Sequence, residues 1–414
     1  MLKTLTAVAA LVIGLCLSTP AATGAQDVPE FSADALAAYA EGARHYQAGR
    51  YIEAIRHFTE AFEADETFLV ALFQAALCHS NLGNLGTRDS LLHIVNASKN
   101  RLSLYYQYRL ETQLASAAGD IDGALSAARR AALIAPGTKA SYQVAFWANR
   151  RNRPREALDA LLSLDPDREP MKGWASYWAQ VMIAHHMLGE HEAELAAARH
   201  AREQYPDWFG ALTYQAQALA AMGHMDELEM VIEESQSVTP GGAAANPGAL
   251  MTTAAAELAE HGNFAAADDL YNRAAEWYDA QPADRVASVA HRNWRSTALM
   301  GAGRLDEAER ICASVLEDAP NNAWFHTIAG YIAAQQGDRA KAMSQLQWLE
   351  GRERTMGSQA YIYAALGDNT QAVELLEAGF ESGDYFNLWW HRQPMLVPLL
   401  GDDPEFVELV RPKG

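Results

Sequence analysis

One short turn recurs along the chain and limits the fold more than any other feature. A glycine, usually followed by a polar residue, stands five positions before an alanine at Gly49…Ala54, Gly119…Ala124, Gly262…Ala267, Gly303…Ala308, Gly337…Ala342 and Gly367…Ala372. Asn152…Ala157 repeats the turn with asparagine in the glycine's place, and weaker copies stand at Gly83, Gly189 and Gly223. Successive turns are 34, 36, 33, 37, 34, 39, 41, 34 and 30 residues apart. A fixed period of about 35 residues marks an array of similar supersecondary units.

Each unit reads as two antiparallel helices. Glycine or asparagine supplies the positive φ that ends the first helix. Glu53, Asp122, Glu156, Asp306 and Glu307 then fall at the start of the second, where the helix dipole favours them. Two further registers favour small residues, at eight of ten positions in the first and six of ten in the second. Seven residues before the turns come Gly42, Ala76, Thr112, Ala145, Met182, Ala216, Ala255, Ser296, Gly330 and Ala360, and twelve after come Ala61, Ala131, Ala201, Ser235, Ala274 and Gly379. Pro136, Pro206, Pro240 and Pro320 close second helices seventeen residues past their turns. With alanine at about a fifth of all positions, close helix–helix approach and an all-α fold follow.

The skeleton Gly42, Tyr46, Gly49, Ala54, Phe58, Ala61, with proline ending later units, resembles the tetratricopeptide repeat over roughly residues 35–380. The tyrosine sits one place late, and the second unit carries Arg88 where the small alanine belongs. The resemblance implies a right-handed superhelical solenoid of about ten such helical hairpins with a short aromatic C-terminal cap. It also resembles the repeat regions of some bacterial regulators, without an attached effector module, and implies a role in protein contact.

The expected organisation is a signal peptide over 1–25, a linker over 26–34, repeats one to six over 35–238, a Pro/Gly-rich segment over 239–248, repeats seven to ten over 249–383, and a capping segment over 384–414. The 239–248 segment reads either as a hinge, which limited proteolysis would cut, or as a long loop. In the last segment Trp389, Trp390 and Phe406 read as the seal on the final apolar face, with an exposed docking site as the alternative. Asp403-Pro404 marks the start of a short helix there.

Lys3, the apolar run Leu5 to Leu17 and the small residues Thr23 and Ala25 predict a secretory signal cut after Ala25. Cys16 invites a lipoprotein reading, but Leu15 before it fits that pattern poorly. Thirteen apolar residues are short for a bilayer span, so the expectation is a periplasmic or secreted protein with no integral span after cleavage. The formal charge of −20, from 52 acidic against 32 basic side chains, repels phosphate backbones and argues against nucleic acid as partner. Cys78 and Cys312 read as free buried thiols.

No catalytic motif survives inspection. His191-Glu192 opens like a zinc-protease helix, but Leu195 occupies the place of the second histidine. His185, His186, His191 and His200 form a loose group read as ordinary surface and groove residues, so no metal and no cofactor are expected. Gly301-Ala302-Gly303 is a repeat turn rather than a dinucleotide loop, and Asp120-Ile121-Asp122-Gly123 lacks the remaining calcium ligands.

In a solenoid of this type the first helix of each hairpin lines the concave side. Counting back from the turns gives Tyr39, Tyr46, Phe73, Tyr106, Arg109, Gln113, Lys139, Tyr142, Asn149, His186, Gln217, Asn293, Trp324, Tyr331, Arg354 and Tyr361 as candidate partner-binding residues. Rings supply area and amides satisfy a bound backbone, which suits a peptide or protein partner. The same spacing also suits rings that pack between hairpins. Arg109 and Lys139 stand where relatives that clamp a partner's C-terminal carboxylate carry cations, but the full set is missing. The expected function is an exported interaction module or scaffold and not an enzyme. The alternative is an envelope enzyme or small-ligand binder with a pocket in the superhelical bore.

Overall fold

The computed structural model describes residues 31–168, 171–382 and 389–414. The signal-peptide expectation and the stretch 383–388 lie outside the described residues. Among the described residues the secondary structure is helical throughout, relieved by a single isolated bridge between Gly242 and Ala245. No described helix is long and apolar enough to cross a membrane.

The helices come as antiparallel pairs, from Ala33–Gln47 with Tyr51–Ala64 to Met356–Ala365 with Asn369–Glu381. All ten predicted turn positions, Asn152 included, have positive φ, between 55° and 82°. Behind the glycines Asp120, Asp338 and Asp368 cap the second helices by accepting from backbone N–H groups three residues on, which satisfies donors the helix leaves orphaned.

The small-residue registers are contact points. Ala54, Ala124, Ala157, Ala308, Ala342 and Ala372 have no exposed surface, nor have Ala61, Ala131, Ala201 and Ala274. A Cβ on Gly42 would stand 2.7 Å from Cδ1 of the buried Phe58 ring. Gly42→Ala therefore forces that ring aside and is expected to cost about 1–3 kcal/mol in urea unfolding. In the second repeat Arg88 is half-buried and pairs with Asp89 (2.7 Å), and Leu92 and Val95 on the same helix are buried. Cys78 and Cys312 are free and buried, and burial pushes both thiols up to about 12.

The chain divides into two compact units. One runs to Trp147 and includes Asp159–Trp174; the other comprises Ala148–Leu158 and Ala175–Gly414. The 239–248 segment lies inside the second, where Asn246 holds it closed. Its Nδ2 donates to the carbonyls of Gly242 and Ala243, and its Oδ1 accepts from Ala249 N and the Tyr278 hydroxyl. In the same unit Trp390 and Phe406 are buried with Met395, Leu396, Leu400 and Leu409 in the apolar core, and Asp403 caps the helix Pro404–Val410.

Asn152 shows why asparagine replaces glycine at one turn. It takes the left-handed conformation, and its side-chain amide donates to the carbonyls of Leu409, Val410 and Arg411, the last at 2.7 Å. Glycine would keep the turn and lose these bonds. Asn152→Gly is expected to lower unfolding free energy by about 1–2 kcal/mol, and Asn152→Ala by roughly 1 kcal/mol more for the strain at positive φ. Denaturant titration of the two variants separates these contributions.

Candidate functional sites

The first unit gathers predicted groove residues around two cations. Arg109, on the helix Leu104–Ala118, is only 6% exposed. Its guanidinium carbon lies 5.3 Å from the ring centre of Phe73 and 5.8 Å from those of Tyr105 and Tyr106. Its Nε is buried without a hydrogen-bond partner, and among the described residues no carboxylate pairs with it. A buried guanidinium set against ring faces with Nε unpaired has a donor to offer in a low-dielectric place. Lys139 lies 5.1 Å from the Tyr46 ring and 4.8 Å from Trp174, and Trp174 also packs on Tyr142 at 4.4 Å. Tyr39 packs on Phe58 and Phe68 and accepts from Gln74. Tyr46 is pushed up to about 12, chiefly by burial. Gln113 keeps accessible surface.

In the second unit the predicted residues scatter. Asn149 donates to the backbone and side-chain oxygens of Gln180, and Tyr331 belongs to the apolar core. Trp324 donates to Asn293 and meets Tyr361 edge-on at 5.5 Å. Arg354 is exposed, at positive φ. Ten of the sixteen candidates (Tyr39, Phe73, Tyr106, Arg109, Tyr142, Asn149, His186, Gln217, Tyr331 and Tyr361) are buried, so most of them contribute packing. Helical spacing alone does not separate an open lining from a ring wedged against the next hairpin.

His186 and Gln217 belong to a buried polar cluster that sequence reasoning missed. His186 and Glu194 face each other across one hairpin, Nδ1 to Oε2, at 2.9 Å. The other nitrogen, Nε2, lies 2.8 Å from Nε2 of His391 and 3.2 Å from Oε1 of Glu257. Glu257 also pairs with Arg392, whose guanidinium lies over the Trp389 ring at 3.9 Å. Gln217 donates to the second oxygen of Glu194, and His191 lies 3.3 Å from Glu194. Glu194 and Glu257 have no exposed surface. Burial opposes a charge on His186, but Glu257 and Glu194 hold its pKa up, at about 9. Burial, then the His186 charge, depresses His391 to about 3. Burial also opposes the Glu257 charge, but Arg392 and His186 more than offset it and keep that carboxyl well below its ordinary range. Two carboxylates are thus balanced by an imidazolium and a guanidinium, with His391 neutral.

Beside this cluster a cavity of about 300 Å³ is lined by His186, His191, Glu257, Glu260, His261 and His391, among others. Oε2 of Glu257 is buried there without a hydrogen-bond partner. Burial and the neighbouring Glu257 charge raise Glu260 to about 7.

No family model and no curated protein sequence matches the chain. Solved structures similar to it include a tetratricopeptide repeat protein from Parabacteroides merdae (14% identity, 70% of this chain and 98% of that one, TM-score 0.36). Yeast Tom70 aligns at 12% identity over 89% of this chain and 99% of its own, with a TM-score of 0.33. Human IFIT1, solved with m7Gppp-AAAA, aligns at 16% identity over 86% and 79%, with a TM-score of 0.36. The chain is an all-helical array of antiparallel helix pairs, and its turns and small-residue contacts resemble those of the tetratricopeptide repeat.

Proposed function

We infer that the protein is an exported scaffold that binds a segment of another protein, and that Arg109 is the centre of the binding surface in the first unit. The observation that carries this is the buried guanidinium, walled by Phe73, Tyr105 and Tyr106, with Nε unused. A partner carboxylate, from an acidic side chain or a chain end, would supply the missing acceptor, and the rings would cover apolar neighbours. Lys139, between Tyr46 and Trp174, adds a second positive charge on the same unit. Acidic peptide segments fit this chemistry despite the chain's overall negative charge, because local desolvated donors outweigh distant screened charges. Export rests on the sequence of residues 1–25, and N-terminal sequencing of the mature protein is expected to begin at Gln26.

The test uses a photo-crosslinking amino acid at position 113, which keeps accessible surface, in cells that make the full chain. Mass spectrometry identifies what is attached. Arg109→Leu is expected to reduce the main cross-link at least tenfold at unchanged helicity, and Lys139→Gln to reduce it less. An undiminished cross-link in Arg109→Leu overturns the reading. Alanine changes at Tyr106 or Tyr142 are poor probes, because both rings are buried and their loss destabilises the unit itself.

A further inference from the structure

We propose that His186, Glu257 and His391 form a binding site for a divalent transition ion of the zinc class. The three side chains come from three places in the second unit, the helix Ser176–Met187, the helix Pro247–Glu260 and the turn Trp390–Arg392. One ligand atom from each lies within 4.8 Å of the others. Tetrahedral zinc with bonds of about 2.0–2.1 Å sets neighbouring ligand atoms about 3.3 Å apart. Nε2 of His186 stands 3.2 Å from Oε1 of Glu257, and the other oxygen of that carboxylate, Oε2, is the one free to take the ion. The His186–His391 separation of 2.8 Å needs to open by roughly half an ångström.

The surroundings are those of a metal centre in three respects. First, the Glu194 carboxylate holds the Nδ1 proton of His186, so that the ion displaces the proton on Nε2 and takes that nitrogen as its ligand atom, and Gln217 holds the carboxylate in turn. Such carboxylate–histidine pairs orient ligands in zinc sites. Second, Glu257 is fully buried, and while Oε1 accepts from Arg392, Oε2 has no hydrogen-bond partner, with Nε2 of His261 3.9 Å away. One oxygen stays with Arg392, which is held over Trp389, while the carboxylate binds the ion. A buried carboxylate oxygen with nothing to accept from is costly, and a cation is the ligand that removes that cost. Third, the cavity beside the three residues leaves a fourth position open. Three protein ligands and one open position characterise reactive rather than closed zinc sites. Two imidazoles and a carboxylate favour zinc-class ions over calcium or magnesium, which prefer all-oxygen shells.

The experiment titrates chelator-stripped full-length protein with cobalt(II), read by the visible bands of low-coordinate cobalt, followed by displacement with zinc. A stoichiometric band that zinc abolishes is expected. His391→Gln is expected to remove the band, and Glu194→Gln to weaken cobalt binding by about 10–100-fold. His224→Gln, at an exposed position outside the cavity, leaves it unchanged. Circular dichroism establishes that each variant is folded. Should Glu194→Gln fail to fold, His391→Gln with the wild type still decides the matter. Absence of a band in folded wild-type protein overturns the proposal, and so does a band that survives in His391→Gln.

Discussion

Glu257→Ala is expected to destabilise the second unit by about 3–5 kcal/mol, among the largest effects of any single substitution in this chain. Glu257 has no exposed surface and faces two positive groups, Arg392 and His186. Removing the carboxylate leaves the Arg392 guanidinium buried without its counter-charge, and His186 retains only Glu194. The penalty is mostly that of the orphaned charges rather than the value of the lost pair. The double variant Glu257→Leu/Arg392→Leu should therefore be markedly more stable than Glu257→Ala, because charge and counter-charge leave together. Urea unfolding of the single and double variants checks this, and additive losses would contradict it.

Unfolding stability should also form a plateau between about pH 4.5 and 6.5 and fall on either side. His186, with its pKa raised from 6.5 to about 9, contributes stability that is complete below pH 6.5. That contribution is lost as pH rises towards 9, an effect on the order of 3 kcal/mol. His391, depressed to about 3, acts in the opposite sense: the unfolded chain takes up its proton below 6.5 while the folded chain does not. His261, depressed chiefly by burial, has the same sign. Glu260, raised from 4.5 to about 7, holds a proton in the folded state that the unfolded chain loses above 4.5, and so offsets His391 through the middle of the range. Below 4.5 protonation of unfolded Glu257 joins His391, and stability falls steeply. His186→Gln should flatten the alkaline limb. A wild-type profile still rising between pH 7 and 9 would contradict the assignment of charge to His186.

The same cluster marks the limit of what sequence spacing reveals. Leu195 leaves His191-Glu192 without a second ligand, which speaks only to a site built on one helix. Here the partners arrive from elsewhere. His391 lies 205 residues from His186, and Arg392 lies 135 from Glu257. No local signal links them, and Glu257 reads in sequence as one more acid on an alanine-rich helix. Arg109 was legible as a first-helix cation, but not its enclosure by Phe73, Tyr105 and Tyr106, which depends on how neighbouring hairpins stack.

The sequence alone determined the hairpins, because a positive φ at a turn, an aspartate cap and a small side chain at a crossing are local requirements met by residues at set offsets. Asn152 obeyed that rule in φ, yet the reason for asparagine was tertiary: its amide holds carbonyls some 260 residues away. Which rings are covered, which charges meet and where a carboxylate is left unsatisfied were decided only by the folded structure. Burial and pairing depend on distances between distant segments, and helical periodicity carries no information about those.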